Sequence, residues 1–149
     1  MKKIFKLLLL LNLLFISSYA VDNPQAFKIT IKGTSFSFLN DHINSDYTYN
    51  YSVDCDDDTI LEAENQTGGF TCEYDSSGSH TIAIRGTFPY FRADNDSRSK
   101  LITIKQWGNI GWKSFKQSFR GASHLTTIET IVAPNLNDVT DLSGMFYLA

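Results

Sequence analysis

Cysteine, proline, methionine and basic clusters are all scarce in this 149-residue chain, and each shortage excludes something. Two cysteines cannot build a zinc ribbon, because a structural zinc site takes four Cys or His ligands and no His stands near either thiol. Three prolines among abundant Ser, Thr and Asn argue against long disordered tracts. No run of Lys or Arg offers a footprint for nucleic acid or an anionic membrane. After residue 20 no apolar run approaches the roughly 20 residues needed to span a bilayer.

The first twenty residues are different. Lys2, Lys3 and Lys6 precede an apolar run from Leu7 to Ile16, broken only by Asn12, and the small residues Ser18 and Ala20 follow. This is the three-part pattern of a secretory signal peptide, with cleavage expected after Ala20. The apolar run is too short for a membrane anchor, and no Cys follows it to carry lipid. The product expected is secreted, periplasmic or displayed on the cell surface. Losing those three lysines from 13 basic residues, against 16 acidic ones, gives the mature chain a formal net charge of −6.

Aromatic residues are plentiful, eleven Phe and seven Tyr, which suits face-packed strands. Phe27, Ile29 and Ile31 alternate with Lys28, Thr30 and Lys32, which predicts a half-buried strand; Gly33 interrupts it, and Phe36 and Phe38 begin another. Tyr47, Tyr49, Tyr51 and Val53 share one face of the cleanest strand, expected to be central. Asn65 to Gly69 has loop composition, Phe70 to Tyr74 and Thr81 to Arg85 predict two strands around the turn Asp75 to Gly78, and Leu101 to Ile104 predicts the last. Six or seven short strands over about 80 residues predict an immunoglobulin-like antiparallel β-sandwich.

Cys55 and Cys72 are the single pair available in an exported chain, so a disulfide between them is expected, closing a loop worth about 3 kcal/mol. Asp54, Asp56 and Asp58 are spaced as a Ca²⁺ loop might be, yet no Gly allows the sharp bend of an EF-hand and no Glu takes its twelfth position, which favours a solvated acidic turn. His42, His80 and His124 are isolated in sequence, with no nucleophile or metal motif around them, so no catalytic, metal or cofactor residue is assigned. Tyr90, Phe91 and Trp112 could stack on a sugar if exposed, although core positions suit them better. Asn65 and Asn95 open N-glycosylation sequons, meaningful only in a eukaryotic secretory route.

Beyond Trp107 the texture changes. Trp112-x-x-Phe115-x-x-Ser118-Phe119-x-x-Ala122 aligns with Val139-x-x-Leu142-x-x-Met145-Phe146-x-x-Ala149 at an offset of 27 residues. A fixed period of this size is the mark of stacked units that bury apolar faces on each other. The spacing predicts helical runs at 112–119 and 141–146, with extended chain at Leu125, Ile128 and Ile131.

Tyr49-x-Tyr51-x-Val53-Asp54-x-Asp56, followed by Phe70-Thr71-Cys72-x-Tyr74 and Gly78-x-His80-Thr81-Ile82-x-Ile84, resembles the PKD-like sandwich domain of bacterial surface proteins. The stretch from Ile104-x-x-Trp107-Gly108 to Val139-Thr140-Asp141-Leu142-Ser143-Gly144-Met145-Phe146 resembles the opening repeats of BspA-type leucine-rich repeat surface proteins. The resemblance implies a signal peptide at 1–20, a sandwich at 21–106 and incomplete leucine-rich repeats with short helices at 107–149. It further implies a non-catalytic binding or adhesion scaffold whose repeats engage a protein or glycan; a free-standing sandwich that binds carbohydrate or calcium is the alternative. Two departures stand out: Thr59 follows Asp58 where the family has a Gly-containing turn, and Cys55 stands where an aromatic is usual. The family continues for many repeats, so the resemblance also implies a truncated product.

Overall fold

The computed structural model describes residues 25–149, so the predicted signal peptide lies outside the described residues. Six strands form one sheet in the order β3-β2-β4-β1-β5-β6, where β1 is Phe27–Phe38, β2 Asn50–Asp54, β3 Ala63–Gln66, β4 Phe70–Thr87, β5 Leu101–Gln106 and β6 Thr127–Ile128. Every pairing is antiparallel except β5 with β6, which is parallel. The protein is mostly β, as its aromatic and alternating composition predicts. Where two packed sheets were expected, all six strands belong to one open mixed sheet.

The sheet is sharply bent along β1 and β4. β1 and β4 pair from Phe27 opposite Ile84 to Gly33 opposite Gly78, lose register, and resume from Ser35 opposite Glu73 to Phe38 opposite Phe70. Asp54 pairs with Ala83, yet its neighbour Cys55 is bonded to Cys72 with a Cα–Cα distance of 5.7 Å. On a straight strand Cys72 and Ala83 would lie about 36 Å apart. β4 therefore doubles back through the exposed Glu73–Ser79 stretch. A bulge is the ordinary means by which a strand turns such a corner. This explains why the predicted pairs Phe27–Lys32 with Phe36–Phe38, and Phe70–Tyr74 with Thr81–Arg85, are each one strand: the interrupting turn residues bend the ladder without ending it.

One apolar cluster fills the interior and crosses position 106. Phe27 lies 5.2 Å from Phe91, 5.0 Å from Trp112 and 6.4 Å from Trp107, ring centre to ring centre. Gly108, at φ +65°, packs directly on the Ala26 backbone, where no Cβ would fit. Tyr49, Tyr51 and Val53 are buried as their shared face predicts, but Tyr47 is only partly buried, and β2 begins at Asn50 and stands second from the sheet edge where a central strand was expected.

The predicted helices at 112–119 and 141–146 are chains of turns; the one helical segment among the described residues is the 3₁₀ turn Arg98–Lys100. Their hydrogen bonds show why. The N–H groups of Ser118, Arg120 and Ala122 bond three residues back, to Phe115, Gln117 and Phe119, whereas those of Phe115, Gln117, Phe119 and Gly121 leave the segment altogether. A helix would need all of them inside.

Candidate functional site

The N–H groups that leave the first segment reach the second. Phe115 donates to Asp141 O at 2.8 Å, and Gln117, Phe119 and Gly121 donate to Ser143, Met145 and Tyr147 at 2.9 Å each; Thr140 donates back to Lys113 O at 3.0 Å. The two copies seen in the sequence are thus successive coils, one lying on the other.

Backbone and capping repeat with the same offset of 27 as the sequence. Gln117 and Gly144 both lie at positive φ, 53° and 62°, as do Gly121 and Leu148 at 75° and 61°. The Ser114 hydroxyl accepts Lys116 N–H at 3.1 Å, and one coil later the Asp141 carboxylate accepts Ser143 N–H at 2.8 Å. Hydrogen bonds from the Ser143 side chain and backbone, with Lys116 nearby, hold the Asp141 carboxyl below its ordinary range. Phe146 stacks on Phe119 with ring centres 5.4 Å apart.

The second coil exposes what the first one buries. Trp112, Phe115, Phe119 and Ala122 are at most 2 % exposed, whereas Leu142 is 53 % and Phe146 43 % exposed. The N–H groups of Leu142, Gly144, Phe146 and Leu148, equivalent to the four donors of the first coil, have no acceptor among the described residues. Among the described residues, the second coil therefore presents a row of four donors set in apolar side chains. A cavity of about 590 Å³ opens between Trp107–Asn109 and Glu129–Ala133, with Ile131 fully exposed at its rim.

Cys55 and Cys72 form the expected disulfide and tie the bent ends of the sheet together. The three aspartates do not converge. Asp54 is fully buried and accepts Asp58 N–H at 3.1 Å and Thr59 N–H at 3.0 Å, with Arg85 Nη1 at 3.3 Å. Asp56 faces His80 at 3.1 Å, and Asp58 caps Ile60 N–H at 2.8 Å. No group of three metal-binding side chains occurs among the described residues.

The histidines sit in three separate places. His80 stacks on Tyr74, ring centres 3.6 Å apart, and Tyr74 donates to Cys55 O at 2.8 Å. His124 Nδ1 meets Ser99 O at 2.6 Å, and His42 Nε2 lies 3.1 Å from Arg98. Tyr90, Phe91 and Trp112, the candidate sugar platform, are buried at 6 %, 0 % and 2 % exposure, which removes them as an exposed stacking surface. Asn65 and Asn95 are exposed. No helix among the described residues is long and apolar enough to cross a membrane.

No protein-family model, curated protein or solved structure matches the chain.

Proposed function

We propose that the chain is an exported, non-catalytic binding scaffold of the kind its resemblance to BspA-type surface proteins implies, with a β-sheet domain carrying leucine-rich repeats whose second coil engages a further polypeptide segment. The observation that carries this reading is the donor row at Leu142, Gly144, Phe146 and Leu148. Amide donors at every second residue match the carbonyls of an extended or coiled polypeptide, and a sugar has no such spacing. A second copy presenting the same face cannot satisfy it, because four donors would meet four donors. The apolar surround favours a partner with its own Leu or Phe at the matching positions.

Four such bonds contribute about 1 kcal/mol each, and covering the half-exposed Leu142 and Phe146 adds about 1 kcal/mol apiece, before the association entropy is subtracted. The gross total of about 6 kcal/mol, less at least about 4 kcal/mol for association, leaves about 2 kcal/mol at best, so binding is weak, with a Kd of roughly tens of millimolar. The calcium and carbohydrate alternative loses its support here, since the aspartate oxygens are taken up by separate hydrogen bonds and the aromatics are buried.

The test uses a synthetic peptide spanning residues 138–149, whose carbonyls at Asp141, Ser143, Met145 and Tyr147 are free when it is detached. Saturable binding should slow hydrogen exchange at the four donor amides, and Phe146→Ala in the protein should weaken it. Unaltered exchange at about 50 mM peptide, or protection that depends on protein concentration alone, would refute the reading.

A further inference from the structure

Three of the four arginines in this acidic chain, Arg92, Arg98 and Arg120, gather where the sheet meets the first coil. Arg98 projects from the 3₁₀ turn so that its Cδ lies 3.3 Å from where a Cβ on Gly121 would stand, which sets it beside Arg120. Its Nη2 is 3.1 Å from His42 Nε2 on the loop after β1, and its Nε donates to Ala93 O at 3.4 Å. Arg92 Nε is buried and has no acceptor among the described residues. Arg120 lies over the Tyr147 ring at 5.2 Å and donates to Gln117 at 3.3 Å.

No carboxylate among the described residues comes within ion-pair distance of any of the three. The acid in the group, Asp94, is buried and holds Asn40 N–H at 3.3 Å and Asp41 N–H at 3.2 Å on its two oxygens. Counting Asp94 against the arginines leaves two positive charges without a counterion. Burial, then Arg92 and Arg120, make the Arg98 guanidinium harder to keep charged; burial, then Arg92 and Arg98, lower the His42 pKa, with Asp94 and Asn95 opposing. Tyr90, which bonds Arg92, faces the same group.

We infer that His42, Arg92, Arg98 and Arg120 form a binding site for a doubly charged oxyanion, a sulfate or phosphate group free or as an ester. Guanidinium forks bind such oxygens in pairs with charge-assisted hydrogen bonds. A buried Nε–H with no acceptor is a donor that an anion would satisfy. The ligand would supply the two negative charges that the cluster lacks. This site is independent of the donor row on the outer coil, and either can fail without the other.

The test follows the Nε–H signals of Arg92 and Arg98 and the His42 ring by NMR in the mature chain. Sodium phosphate, sodium sulfate and sodium chloride are titrated at constant ionic strength. Phosphate and sulfate should each saturate a single site and raise the His42 pKa, since an adjacent anion favours the imidazolium. The melting temperature should rise about 5 °C at tenfold excess over Kd. Arg98→Ala should weaken binding about 10- to 100-fold, and Arg98→Lys, which keeps charge but loses the fork, should lie between. Circular dichroism of each variant separates lost binding from lost fold; should Arg98→Ala unfold, the partly exposed Arg120→Gln gives the same test. A methyl phosphate or monosaccharide sulfate that binds tighter than the free ion would identify the ester as the ligand. Chloride acting as well as phosphate, no saturation up to about 50 mM, or Arg98→Ala binding like the wild type would overturn the site.

Discussion

Replacing Asp54 by Ala separates a structural carboxylate from a calcium ligand. Asp54 is fully buried at the end of β2, and its oxygens accept Asp58 N–H, Thr59 N–H and Arg85 Nη1. The Ala variant removes the charged acceptor of two amide donors, each bond worth about 1.5 kcal/mol or more. It also leaves Arg85 with Asp57 alone, at 3.5 Å. Since the Arg85 side chain is 21 % exposed, water recovers part of that lost attraction, and the ion pair adds less than a buried one would. The sum is about 3 kcal/mol. Urea unfolding of the oxidised protein should show the midpoint falling by about 2 M at unchanged slope, for a slope near 1.5 kcal/mol/M. Asp54→Asn, which keeps one acceptor, should lose about half as much. Calcium at millimolar concentration should leave the wild-type midpoint where it was, because the oxygens it would need are already used. A loss under about 0.5 kcal/mol, or a calcium-dependent rise in midpoint, would show the turn reading to be mistaken.

Three further outcomes are expected. The double variant Cys55→Ala with Cys72→Ala should lose about 3 kcal/mol, since the bridge closes 17 residues and both positions are buried, as a denaturant titration would show. Thr59 is β-branched at φ 78° and exposed, so Thr59→Gly should raise stability by about 0.5–1 kcal/mol after the glycine entropy is charged against the relieved strain, measured by the same titration. The lowered His42 pKa means that the unfolded chain binds its proton more readily, so His42's contribution is present above the unfolded value near 6.5 and is lost as pH falls towards the folded one; His42→Gln should flatten that slope in a series of melting curves between pH 7 and 5.

Alternation made the strands legible, because Phe27, Ile29 and Ile31 or Tyr49, Tyr51 and Val53 bury one face whatever the sheet around them does. The 27-residue offset was equally visible, and turn angles and capping bonds keep it. Helix was misread there for a physical reason: apolar residues three and four apart suit a coil of turns as well as a helix, and what decides is where alternate N–H groups go, which depends on the next coil. β3 was missed because Ala63-Glu64-Asn65-Gln66 has no apolar face; Tyr51 and Val53 hold it at the sheet edge by pairing. The disulfide could be read because two cysteines allow one pairing. The arginine cluster could not, because only the folding of the first coil against the Arg92–Arg98 segment brings Arg120 to it.

The continuity of the core across residue 106 sets one more prediction against the domain boundary expected there. Trp107 packs edge-on to Phe115 and Phe119 at 5.6 and 5.8 Å, Phe91 lies 5.6 Å from Phe119, and Phe27 sits between Trp107 and Trp112. Ending the chain at Gln106 would bare one side of Phe27, Phe91, Leu101 and Ile104, each fully buried now. Full exposure costs about 1.5–3 kcal/mol per side chain, so baring one side of four costs about 3–6 kcal/mol, a large share of the stability of a domain this size. β5 would also become the sheet edge, since β6 is what pairs with it. A chain of residues 21–106 should therefore lack a cooperative melting transition and be cut rapidly by trypsin, although its disulfide is intact. Removing only residues 134–149 takes away Phe146 from Phe119 and leaves Trp107, Trp112 and Phe115 in place, so that chain should still melt cooperatively, about 1–2 kcal/mol less stable. If the 21–106 chain instead melts sharply, within about 5 °C of the full protein, the sheet is self-sufficient and the coils are an appendage to it.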